Sequence, residues 1–256
     1  MAEAVIQPEA STAPLNEIQR IVDTFVAPTK TFDDIRRSAM WWGPLVIMIL
    51  VSVAFTMTVT KKVGWPTVYE NNLRLIPKMK AMVDQQMATM TPEQQAVLRA
   101  KGAHQQEVNS YVHPVGVLVI IAIAALLVWP TLNFGFGGTA KYSRVFAVFM
   151  YTALISDSCK YILGIVALYA GLVPDSFAIN NPVGTNLGYY LSGGDSPLWL
   201  VSLGSAVDIL GIWALVLSVI GCSIVAKVKR GQAAIAVIGW WALFILAITG
   251  IAAVFA

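Results

Sequence analysis

The chain has 256 residues, of which only 12% are charged while AVILMFWYC make up 57%. Soluble domains carry about 25% charged residues, so there is too little polar surface here to cover a water-soluble globule, and the solvent for most of this chain is lipid. The net charge of +3 is small and the basic residues are scattered, which excludes a nucleic-acid footprint. Cys159 and Cys222 both fall in apolar stretches, so neither a disulfide framework nor a zinc site is expected. His104 and His113 are too few for a multi-histidine metal centre.

The composition specifies an all-α, polytopic membrane protein. Residues 1–40 form an N-terminal segment in which acids and bases mix with isolated apolar residues, without the apolar core of a cleavable signal. Within it Leu15, Ile18, Ile21, Val22 and Phe25 recur at helical spacing, and a second start follows Pro28. One or two short amphipathic helices are therefore expected, either lying on the membrane surface or packed as a cap on the spans. The first span runs from Trp41 to Thr60. Phe32, Trp41 and Trp42 are the aromatic candidates for the interface beside it.

Residues 61–112 read as a helical hairpin. Ile76, Met79, Val83, Met87 and Met90 make a stripe on its first helix, and Thr91-Pro-Glu-Gln94 supplies an N-cap, a Pro at N1 and a capping-box partner for its second. That second helix is expected to end near Asn109. Met79, Met82, Met87 and Met90 are weak candidates for a soft-metal site; a malleable apolar face accounts for them as well. The remaining spans are Val115–Phe134, Val145–Gly171, Leu198–Ala226 and Ala233–Ala256, each long enough for a ~30 Å hydrocarbon layer. Pro130 is expected to kink or end span two, and the length of spans three and four leaves room for tilt or a partial break.

Arg36 and Arg37 precede span one, Lys141 and Arg144 link spans two and three, and Lys227, Lys229 and Arg230 link spans four and five. The connection from Leu172 to Pro197 holds no Lys or Arg. These positions predict a cytoplasmic N-terminus, an external C-terminus and an extracytoplasmic hairpin. The hairpin, with seven basic and four acidic residues, dissents, but a loop of that length is near the limit of the rule.

Three ionisable groups lie inside the spans. Asp157 and Lys160, at i and i+3, are expected on one face of span three. At 1.5 Å per residue Asp157 stands ~20 Å and Lys160 ~24 Å above Arg144, and Asp208 of span four stands ~28 Å above Lys227. The three are thus placed to meet, with Lys160 between two carboxylates. Such a cluster serves either as an ion or proton relay or as a structural ion pair that sets how two spans pack. Gly204, Asp208, Gly211, Ala214, Ser218 and Gly221 mark a small-residue packing face along span four. No G-x-S-x-G, H-E-x-x-H or phosphate-binding loop occurs, and Gly135-Phe-Gly-Gly138 lacks the strand–turn–helix setting of one, so neither an enzyme nor a cofactor is expected.

Val26-Ala-Pro-Thr-Lys-Thr-Phe-Asp-Asp-Ile35 followed by Trp41-Trp-Gly-Pro44 resembles the entry of the Yip1 family, its bacterial members above all. Gly137-Gly-Thr-Ala-Lys-Tyr-Ser-Arg-Val145, Tyr151, Asn181-Pro182 and Asp208-Ile-Leu-Gly-Ile-Trp213 with Gly221 are similar to it in the same order, over about residues 20–256. The resemblance implies five spans, a cytoplasmic N-terminus and a place in a bacterial cytoplasmic membrane. It also implies a role in binding other membrane proteins, which for some bacterial members are ABC-type exporters. Three functions are carried forward. They are a non-enzymatic scaffold or accessory subunit that binds membrane proteins or itself, a small transporter or channel using Asp157, Lys160 and Asp208, and a lipid-handling protein that needs a lateral groove.

Overall fold

A computed structural model describes residues 14–192 and 196–254. Among these the fold is entirely helical, with one isolated antiparallel bridge between Asn186 and Asp208. Two short helices, α1 (Glu17–Val26) and α2 (Pro28–Ile35), precede span one, α3 (Trp42–Lys62). Gly64 takes φ +81°, a left-handed turn that suits glycine, and lets α4 (Trp65–Leu75) fold back at once; α5 (Pro77–Met87) follows.

The next helix, α6 (Pro92–Pro130), is one continuous rod of 39 residues. The expected second arm of the hairpin and span two are therefore a single element, with no turn between Asn109 and Val115. The Thr91 capping box starts it: Gln94 N–H donates to Thr91 Oγ1 at 3.3 Å and Thr91 N–H to Gln94 Oε1 at 2.9 Å. Pro114 sits inside the rod. Having no N–H, it leaves the carbonyl of Ser110 without its helical donor. Ser52 of α3 supplies one instead, its Oγ donating to Ser110 O at 3.2 Å, and Thr56 Oγ1 lies 2.7 Å from Ser110 Oγ. At Pro130 the helix loosens into a π turn, Thr131–Gly135, so the expected disturbance there is local.

Span three is α7 (Tyr142–Ala153) and α8 (Cys159–Tyr169) joined without a loop by a π turn, Leu154–Ser158. Span four differs from the expected single helix. After the short α9 (Leu187–Leu191) it is split into α10 (Leu198–Ala206) and α11 (Ile209–Ala226), with Val207 and Asp208 extended or irregular between them. The last span is α12 (Arg230–Val254). Among the described residues five helical stretches are thus long and apolar enough to cross a membrane: α3, α6 with its π turn, α7–α8, α11 and α12.

The split divides the small-residue face as well. Gly204, on α10, lets α9 approach, since a Cβ there would stand 2.8 Å from Leu191 Cδ1 and 3.0 Å from Gly188 N. Gly221, on α11, admits Val148 and Phe32, which a Cβ would meet at 2.5 and 3.1 Å. Ala214 and Ser218 are buried in the bundle, whereas a Cβ on Gly211 would meet nothing nearer than Asp208 Cβ at 3.5 Å. The residues make separate contacts and not one continuous seam.

Phe32 is fully buried in that contact, so it is a core residue and not an interfacial one. Its ring fills the notch that Gly221 leaves, which is why α2 docks on α11. Trp41 is partly buried, edge-on to Phe146 at 5.2 Å between ring centres, while Trp42 is exposed at the start of α3.

The N-terminal pair is a packed cap, yet of the apolar stripe on α1 Ile21 packs against the core while most of the rest points away from the protein. Arg20 and Thr24 face the protein, while Ile18 is 75% and Val26 74% exposed, with Val22 and Phe25 exposed between them. A buried ion pair explains this orientation. Arg20, 2% exposed, donates through Nε to Asp34 Oδ2 at 2.7 Å, and its carbonyl accepts from Thr24 Oγ1 and Thr31 Oγ1 at 2.7 and 2.9 Å. Arg37 donates to the other oxygen of Asp34 at 2.6 Å. Burial alone would raise the Asp34 carboxyl, but the hydrogen bonds from Arg37 and Arg20 outweigh it and hold the group below the usual carboxylate range. Tyr151 of α7 donates to Glu17 Oε1 at 2.6 Å and closes the junction from the bundle side.

At the opposite end α4 lies along α6. A Cβ on Gly102 would collide with the Tyr69 ring, and Arg99 pairs with Glu70 at 3.0 Å. Asn71 Nδ2 donates to the carbonyls of Pro174 and Phe177, both at 2.9 Å, which ties the excursion to the loop after α8. The four methionines do not share one environment: Met87 is buried while Met79 and Met82 are exposed. Two apolar cores result. The larger, around Phe32, Val148, Tyr151 and Leu217, lies toward α1 and α2; the smaller, around Phe55, Val59, Trp65 and Phe177, lies toward α4.

Candidate functional site

A polar layer separates those two cores, and irregular backbone on two spans builds it. Asp208 is the N-cap of α11. Its Oδ1 accepts from Leu210 N–H and Gly211 N–H at 2.9 and 3.3 Å, and its Oδ2 from Thr185 Oγ1 at 3.0 Å. Lys160 Nζ stands 3.0 Å from the same Oδ2. The carboxylate is therefore held by a helix N-terminus, a hydroxyl and an ammonium together, a fully compensated arrangement for a buried charge.

Opening a helix inside a bilayer exposes backbone groups that lipid cannot satisfy. Here the loop before α9 satisfies them: Leu187 N–H donates to Val207 O at 3.3 Å and Ile209 N–H to Thr185 O at 3.0 Å. The loop is fixed by its asparagines. Asn186 Nδ2 donates to Asn181 Oδ1 at 3.1 Å, and Asn181 Nδ2 to Ser205 Oγ on α10 at 3.0 Å.

Asp157 does not complete a triad with Lys160. It lies in the π turn of span three, where the wider turn removes the i,i+3 stacking of a regular helix. Its partner is His113 of α6, whose Nε2 donates to Asp157 Oδ1 at 2.8 Å. His113 is thus inside the long helix α6, just before its apolar run, and part of the site. The one cue to it was its place two residues before the apolar run that begins at Val115.

His113, Asp157 and Lys160 line one cleft of about 340 Å³ together with Asn109, Ser110 and Tyr161, whereas Asp208 lies outside that lining. Phe55 stacks on Tyr161 at 4.3 Å, nearly parallel, and forms the apolar wall behind it. The arrangement can bind a polar group through several donors. No group of three or more His, Cys, Asp or Glu side chains suited to a metal ion occurs among the described residues.

Comparison with known proteins adds one finding. The family model described as the Yip1 domain matches residues 22–251, nearly the whole chain. No curated protein and no solved structure matches it.

Proposed function

The chain belongs to the Yip1 family, and from that premise we propose that it is a non-enzymatic membrane scaffold or accessory subunit. In this reading it binds other membrane proteins, an ABC-type exporter among them, or further copies of itself. The N-terminus is cytoplasmic, the C-terminus external and α4–α5 extracytoplasmic, in a bacterial cytoplasmic membrane. The basic residues in the connections at the α1–α2 end, Lys141, Arg144, Lys227, Lys229 and Arg230, support that orientation.

Helix α1 carries the proposal. Its polar face is locked to the protein by the Arg20–Asp34 pair, so Ile18, Val22, Phe25 and Val26 remain as an outward apolar stripe beside the start of span one. A fold that buries an arginine to keep four apolar side chains outside has a use for that face. A partner helix or a second copy fits it.

Affinity purification from native membranes in mild detergent, with mass spectrometry, tests this. A stoichiometric partner or homo-oligomer is expected, and Ile18→Ser with Val22→Ser should release it without lowering the yield of folded protein. A monomer with no companion from wild-type membranes would overturn the reading.

Transport is the second reading, because Lys160 and Asp157 line a cleft reachable from the α4–α5 end. The cleft lining stops at Ser156, and the larger apolar core lies beyond. Flux in proteoliposomes that disappears in Asp157→Asn and Lys160→Gln, with folded protein unchanged, would favour transport over scaffolding.

A further inference from the structure

A second cavity of about 340 Å³ lies inside the bundle, walled by Ile120 and Ala124 of α6, Gly211 and Ala214 of α11, and Trp240 and Phe244 of α12. That volume falls at the lower end of ordinary ligand pockets. Its lining is apolar apart from a few hydroxyls, two of which, Thr152 and Ser218, are hydrogen-bonded to each other at 2.9 Å. The opening is lateral. Trp240 Nε1 donates to Thr131 Oγ1 at 3.0 Å and ties α12 to the end of span two, while α12 also packs on α10. Between these attachments α6 and α12 leave a gap that exposed Ile120 and Ile248 border.

Ser156, in the π turn of span three, lines both this trough and the polar cleft of His113, Asp157 and Lys160. Ser156 is thus a wall common to both, with the polar space on the α4–α5 side and the apolar one deeper along the span. Their depth matters. His113 stands where the α6 sequence turns apolar, at the membrane boundary, and the trough runs from Ser156 to Phe149, ~10 Å further into the hydrocarbon. An apolar gap open to lipid does not stay empty, because its walls would forfeit their dispersion contacts. A polar cleft at its head makes that filling selective.

We propose that this composite is a binding site for one phospholipid, taken from the leaflet on the α4–α5 side. An acyl chain lies in the trough, and the headgroup phosphate lies in the cleft. Lys160 has three N–H groups, of which Asp208 accepts one, and Asn109, Ser110 and Gln106 add further donors around the cleft. The proposal depends on the membrane placement of the spans and not on the scaffold role, so either can fail alone.

The test is delipidated protein in detergent, titrated with dipalmitoyl phosphatidylglycerol and followed by native mass spectrometry. Wild type is expected to saturate at one lipid per chain. Gly211→Phe fills the trough from a position with room for a side chain, and Ala124→Trp fills it from the opposite wall. Each should weaken binding at least tenfold while the melting temperature and elution volume stay near wild type, and two variants guard against one misfolding. Lys160→Gln should weaken phosphatidylglycerol more than palmitic acid. Three results would overturn the proposal: no saturable lipid on the wild type, equal binding by both filled variants, or palmitic acid binding as tightly as the phospholipid.

Discussion

Asp157 ignores Lys160, its neighbour along the same span, and bonds His113, 44 residues earlier in the chain, at 2.8 Å. Lys160 in turn takes Asp208 at 3.0 Å. Two independent pairs therefore cross the bundle, one binding span three to span two and the other to span four. Losing one partner strands only one charge.

The first prediction concerns the Lys160–Asp208 pair. Lys160→Met leaves a buried carboxylate without its cation and should cost about 3 kcal/mol. Adding Asp208→Asn should recover most of that loss. Denaturant unfolding in mixed micelles measures both; a double variant as weak as the single one would show that the pair is not coupled.

Asp208 has a second role that a different substitution isolates. Asparagine keeps the oxygen that accepts from Leu210 and Gly211, whereas alanine removes it, so Asp208→Ala should be less stable than Asp208→Asn by about 1 kcal/mol. Equal melting temperatures would mean that the cap on α11 adds nothing beyond the charge.

A third prediction follows from Asp34. The carboxyl is held below the range of an unfolded aspartate, near pKa 3.9. The unfolded chain then binds the proton first as pH falls, so the contribution to stability is complete above about pH 4 and is lost as pH drops through the lower folded value. Docking of α1, read by limited proteolysis at the Val26–Pro28 junction, should weaken below pH 4 in the wild type. Asp34→Asn should show weaker docking at neutral pH and a flatter profile; an unchanged profile would place the sensitivity elsewhere.

The two glycines of α11 should behave oppositely. Gly221→Val drives side-chain atoms into Val148 and Phe32 and should cost about 1–3 kcal/mol. Gly211→Ala meets only an ordinary van der Waals contact, Asp208 Cβ at 3.5 Å, and should be neutral or slightly stabilising through helix propensity. Thermal melts of the two proteins side by side decide it.

Much of this architecture is readable before any coordinates. Apolar run length locates the five spans, and Thr91-Pro-Glu-Gln94 marks the start of α6, because both signals are local. The meeting of Lys160 with Asp208 follows from counting residues up from the basic ends. The break at Val207–Asp208 is hidden, since hydropathy runs unbroken through Leu198–Ala226 and only a loop from residues 185–187 makes an open turn tolerable there. His113 is missed for a related reason: its partner is set by a π turn on another span. The direction of α1 is likewise invisible, because an apolar stripe says which residues share a face but not that Arg20 will find Asp34 and turn that face outward.

Pro114 has a consequence of its own. Parallel or antiparallel helices in hydrocarbon present repeating ridges, and sliding by one turn costs little when every side chain is aliphatic. By stripping the Ser110 carbonyl of its donor, the proline gives one level near the middle of a 39-residue helix a polar need of its own, and Ser52 of α3 answers it. The proline, usually counted as a flaw in a helix, acts here as an index mark that sets the vertical alignment of the first two spans, and with it the height at which His113 is presented.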